Sequence, residues 1–196
     1  MTEILNEILQ KFKQKKIIFL VKDIERHPNF KRDNTLQDIA NLSNWLYIID
    51  EKDLAVKVAS IIDNIPFEGD FVIWNSVVRA LSIEALVYEE NGELEKANKC
   101  ISIIKSTFNI GSESEIIKRK KILNRVLNGS LLNDDKILIA KQNNDIQSEI
   151  TWRFNQFKGL LYIKIMGGSE IYPIERLNAE IVNEKQFLKN NIGIAE

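Results

Sequence analysis

The sequence predicts an all-α protein, an irregular stack of antiparallel helical hairpins with eight or nine helices in a single domain spanning residues 1–196. Three observations lead there. Apolar residues recur at spacings of three and four along most of the chain. The polar breaks between these stretches are short, which favours antiparallel neighbours. No period-two alternation argues for a strand.

The elements follow in order. Ile4, Leu5, Ile8, Leu9 and Phe12 carry the first apolar stripe. Ile17 to Val21 is an unbroken apolar run that suits a strand or a well-buried helix; with no strand partner elsewhere it is assigned to a helix over Lys15 to Arg26, stopped by His27 and Pro28. Asp33, Asn34 and Thr35 offer N-caps ahead of Leu36, Ile39, Leu42, Trp45, Leu46 and Ile49. After the polar turn DEKD comes the stripe Leu54, Val58, Ile61, Ile62 and Ile65, ended by Pro66 and Gly69. Phe71, Trp74, Val77, Val78, Leu81, Ala85 and Tyr88 mark one further helix, closed by Asn91 and Gly92, and Leu94, Ala97, Ile101, Ile104 and Phe108 mark the returning one. Ser112 and Glu115 form a capping box for the next, which Asn128 and Gly129 close. A short helix over Asn133 to Lys141, a long one bearing Ile150, Phe154, Phe157, Leu161 and Ile165, and a last one with Pro173 in its first turn complete the chain.

Composition bounds the function. With 44% hydrophobic and 28% charged residues the chain is globular in type, and a net charge of -1 supplies no global field toward nucleic acid or anionic lipid. The lone Cys100 cannot form an intrachain disulfide, and Glu3 and Glu7 oppose an export signal, so a cytoplasmic location is expected, with no membrane span. His27 is the one histidine, which excludes a His pair for zinc or a relay of two imidazoles; neither metal nor cofactor is expected.

Residues 78 to 109 carry a resemblance. Leu81, Ala85 and Tyr88, then Ala97 and Ile101, follow the order of the tetratricopeptide repeat, in which small residues let two helices cross closely and large ones fill the gap. Glu84 departs from the expected Leu, and Asn109 stands where Pro would be. The chain thus resembles a tetratricopeptide-like stack with irregular repeats, which implies protein or peptide binding on a concave face. In size and class it is also similar to all-helical bacterial immunity proteins of polymorphic toxin systems, a likeness that implies toxin neutralisation by direct binding.

Several other features read more simply as structure. Cys100, on a helix beside Ile101, is a small buried residue; Glu89, Glu90, Glu93, Glu95, Asp134 and Asp135 sit at helix ends and turns as solvated surface; and Gly167 and Gly168 follow a helix rather than leading directly into one, as a phosphate cradle would require. The expected function is therefore a non-enzymatic protein-binding module. Contact residues are assigned to polar faces opposite the core stripes: Asn44, Asn75, Arg79, Trp152, Arg153 and Asn155, with Trp152 and Arg153 as the pairing enriched in binding hot spots. The alternative is a nucleic-acid-binding protein using Lys118, Arg119, Lys121 and Arg125, although no aromatic residues interleave with that cluster.

Overall fold

A computed structural model describes residues 1–28 and 33–195. Among these the chain is all-helical, and ten α-helices are present rather than eight or nine. The shortest of them, at 8 to 10 residues, are separate elements set off by their own turns. The chain divides into two compact units, Met1–Ile104 and Lys105–Glu196.

The first unit holds α1 (Thr2–Lys11), α2 (Lys15–Arg26), α3 (Asp33–Ile48), α4 (Lys52–Ala59), α5 (Phe71–Glu90) and most of α6 (Leu94–Ser106). The ambiguous run at 17–21 is helical, and its geometry sorts the residues: Ile17, Leu20 and Val21 are buried, whereas Phe19 is 57% exposed. α3 packs against α2, α4 and α5. Surrounded in this way it keeps no polar side along its C-terminal half, and every residue from Leu42 to Ile48 is buried. α3 starts at Asp33, so Asn34 and Thr35 lie within its first turn instead of preceding it; the Thr35 hydroxyl donates to the His27 carbonyl at 2.7 Å, tying α3 to the end of α2. α4 stops at Ala59, short of the predicted stripe's end, because the next amides bond three residues back: Ile61 to Val58 and Ile62 to Ala59. α5 is capped by the Asp70 carboxylate, which accepts from Val72 N–H at 2.8 Å. The Tyr47 hydroxyl donates to Glu90 Oε1 at 2.6 Å and Lys52 meets Glu90 Oε2 at 2.7 Å, fastening α3 and α4 to the end of α5.

The second unit holds a 3-10 turn (Thr107–Asn109), α7 (Glu113–Leu127), α8 (Asp134–Gln142), α9 (Ile146–Ile165) and α10 (Ile174–Asn191). α9 is its axis, with α8 and α10 packed along it. Its predicted stripe is the core: Ile150, Phe154, Phe157, Leu161 and Ile165 are all at most 8% exposed. The capping box opens α7 as expected, the Glu115 carboxylate accepting from Ser112 N–H at 2.7 Å. Gly129 closes that helix at φ +71, and a side chain there would come within 2.7 Å of the Tyr172 ring.

α5 is the one described helix long and apolar enough to cross a membrane, and 67% of its apolar window is buried within the protein.

Candidate functional site

The predicted contact residues fall into different environments. Asn44 is a correction: it is 1% exposed, and its amide donates to the Ala40 carbonyl at 2.7 Å inside the enclosed face of α3, so it cannot reach a partner. Asn75 is exposed on α5 and Arg79 is half-buried one turn further along. Burial lowers the pKa of the Arg79 guanidinium, which meets no hydrogen-bond partner among the described residues.

Trp152, Arg153 and Asn155 lie on α9, all half-buried. Consecutive positions on a helix point about 100° apart. Trp152 and Arg153 accordingly face two different hollows, one on each side of α8. One hollow, of about 220 Å³, is lined by Asp134, Ile137, Leu138, Lys141, Arg153, Gln156 and Glu184. The other, also about 220 Å³, is lined by Lys136, Ile139, Ala140, Asn143, Asp145, Ser148 and Trp152.

Arg153 is fixed from three sides. Its Nε donates to Glu149 Oε1 at 2.8 Å, its Nη1 donates to both Glu184 oxygens at 2.7 and 2.8 Å, and its guanidinium carbon lies 4.2 Å from the centre of the Phe187 ring. Burial opposes the charged guanidinium, but the two carboxylates outweigh it and raise its pKa. For Glu184 the balance tips the other way, and burial raises its pKa against the pull of Arg153. Gln156 extends the network, donating to Asp134 Oδ1 and accepting from the Asn133 amide, both at 2.8 Å. In the second hollow the Lys136 ammonium sits 4.0 Å from the Trp152 ring centre, a cation–π contact that holds the indole in place.

Between the hollows runs α8 itself. Only Ile137 and Ala140 are buried in this helix, and Leu138 and Ile139 stand 54% and 56% exposed at its centre. The face thus joins an apolar ridge to a fixed Arg and a braced Trp. Sequence reasoning found Trp152 and Arg153 but not Leu138, Ile139, Lys136 or Glu184. The i,i+4 spacing of Glu149 and Arg153 was a usable signal; Glu184, on another helix, offered none.

Residues 1–190 match the model of a family described as a family of unknown function (DUF6707). The chain belongs to that family. No curated protein and no solved structure matches it.

Of the basic cluster on α7, Lys118, Lys121 and Arg125 are exposed. Arg119 is a second correction: it is 2% exposed and projects from the helix side away from the other three, so it is not on their exposed face. Trp45 and Trp74 are core residues, as their stripes predicted, at 1% and 3% exposure. Cys100 is buried with its thiol 3.6 Å from Glu84 Oε2, and burial, then Glu84, push that thiol up to about 12. No group of three His, Cys, Asp or Glu residues among those described is placed to hold a metal ion.

Proposed function

We propose that this protein is a non-enzymatic binding module that grips a protein partner with the α8–α9 face of its second unit. The observation that carries the reading is the pairing of the exposed Leu138–Ile139 ridge with Trp152 and Arg153 on either side. Large apolar side chains beside a rigid aromatic and an Arg are the composition of interface centres. The helices are read as an irregular stack of tetratricopeptide-like hairpins. In support, α3 packs on both α4 and α5, as a leading helix does on its own returning helix and on the next leading one. Ala85 and Ala97, the small positions of the motif, are buried at 1% and 4% exposure.

In its most concrete form this is a bacterial immunity protein that neutralises a cognate toxin in the cytoplasm by direct binding. The test is co-expression of the product of the neighbouring gene with the wild-type chain or with Trp152→Ala or Leu138→Ser. Wild type restores growth and the variants do not; equal protection by all three would remove this face from the reading.

The second reading, nucleic-acid binding, draws on the exposed Lys118, Lys121 and Arg125 of α7. A phosphate-contacting face loses affinity steeply with added salt, so a titration of mixed RNA and DNA separates the two. Weak binding that does not respond to salt removes it.

A further inference from the structure

The first unit carries a group of unmet donors that does not depend on the α8–α9 reading. We propose that Asn75, Ser76 and Arg79 on α5 form a binding site for a carboxylate, supplied by a free organic acid or by an acidic side chain of a protein.

The three residues have nothing to bind within the chain. Asn75 is exposed, Arg79 is half-buried, and Ser76 is 5% exposed with its hydroxyl oxygen open to the surface. None of them makes a hydrogen bond or ion pair among the described residues. A buried helical serine can turn its hydroxyl back to the carbonyl four residues earlier, as Ser82 does to Val78 at 2.7 Å; Ser76 does not. Burial alone acts on the Arg79 guanidinium, lowering its pKa, and no carboxylate among the described residues offsets it.

Helix geometry gathers these donors. At about 100° per residue, Arg79 falls between Asn75 and Ser76 around α5, and a long side chain at position 79 covers the turn that bears the other two. The acids nearest along the chain are committed elsewhere. Asp70 caps the amides of Val72 and Ile73, and Glu84 turns to Cys100 on α6.

The donor set selects the ligand. A guanidinium fork meets both oxygens of a carboxylate, and the hydroxyl and amide take one remaining lone pair each, so a carboxylate satisfies all three residues. One cation balances one negative charge, whereas a phosphate dianion would leave charge unmatched in a half-buried site. Val72, 65% exposed one turn before Ser76 on the same side of α5, gives the ligand's carbon skeleton an apolar surface.

The experiment follows the Arg79 Nε–H signal in nitrogen-15 correlation spectra of the full chain at slightly acid pH, the signal being identified by its absence from Arg79→Met. Sodium acetate, sodium phosphate or a blocked Gly-Glu-Gly peptide replaces sodium chloride at constant ionic strength. Acetate is expected to shift the signal saturably, and Ser76→Ala and Asn75→Ala each to weaken acetate about three- to tenfold, the size of one net hydrogen bond. Acetate in place of chloride also raises the thermal midpoint of wild type and not that of Arg79→Met. A peptide that binds more tightly than acetate assigns the carboxylate to a protein, and one that binds no better assigns it to a free acid; both uphold the site. A signal indifferent to acetate, tighter binding of phosphate than of acetate, acetate affinity unchanged in both alanine variants, or a midpoint response equal in wild type and Arg79→Met overturns the proposal and leaves the α8–α9 reading standing.

Discussion

Glu84 lies on α5 among apolar residues, and the structure buries it to 3% exposure with only the Cys100 thiol on one oxygen and no partner on the other. Burial, then the Asp63 charge, raise its carboxyl from 4.5 to about 7. The folded state therefore keeps this proton while the unfolded state releases it. Stability falls as pH rises from about 4.5 to about 7 and levels off above, the reverse of a salt-bridged carboxylate. Glu84→Gln is expected to flatten most of that slope in denaturant titrations and to stabilise the protein at pH 8 by on the order of 2 kcal/mol. A residual slope belongs to Asp38, which burial and a hydrogen bond with Asp23 push up to about 6, and to Glu184 and Asp63, which burial also raises. An unchanged slope would mean that Glu84 is solvated. Arg79 is the cationic counterpart, half-buried without a hydrogen-bond partner. Arg79→Met is expected to leave stability unchanged or to raise it by about 1 kcal/mol, since an unpaired buried charge is exchanged for packing; a clear loss in the same titration would reveal a partner.

At the scale of elements, helix ends were more legible than helix faces. Gly129 could be read from sequence as the end of α7 because only a residue tolerating positive φ closes a helix this way, and Tyr172 now adds a steric reason. Gly129→Ala is expected to cost about 2 kcal/mol from backbone strain alone, read as a lowered denaturation midpoint, and more where Tyr172 cannot yield. Faces were harder to assign for a physical reason. The period of an apolar stripe identifies one buried side, but α3 is covered on several, so Asn44 was placed outside when it lies within. On α8 four apolar residues occur together at 137 to 140, and only the packing against α9 determines that Ile137 and Ala140 turn inward while Leu138 and Ile139 stay out. As an exposed position, Leu138→Ser is expected to shift stability by less than about 0.5 kcal/mol while abolishing partner binding. A large loss of stability would show the ridge to be structural.

For the whole molecule, composition and periodicity carried the all-helical class, while the candidate site depended on long-range pairing that one sequence cannot display. Arg153 stands out in the sequence beside Trp152, yet the carboxylate that fixes it in its hollow comes from Glu184, 31 positions away. The exposed basic face of α7 and the exposed apolar ridge of α8 suit different kinds of partner, so where a partner attaches decides between the two functional readings. A photo-crosslinking amino acid placed at position 138, with a second variant carrying it at position 121, measures this most directly in cells of the native host. The account predicts a protein adduct of one defined mass from position 138 that disappears with Trp152→Ala. No adduct from 138, together with nucleic-acid adducts from 121, would contradict it.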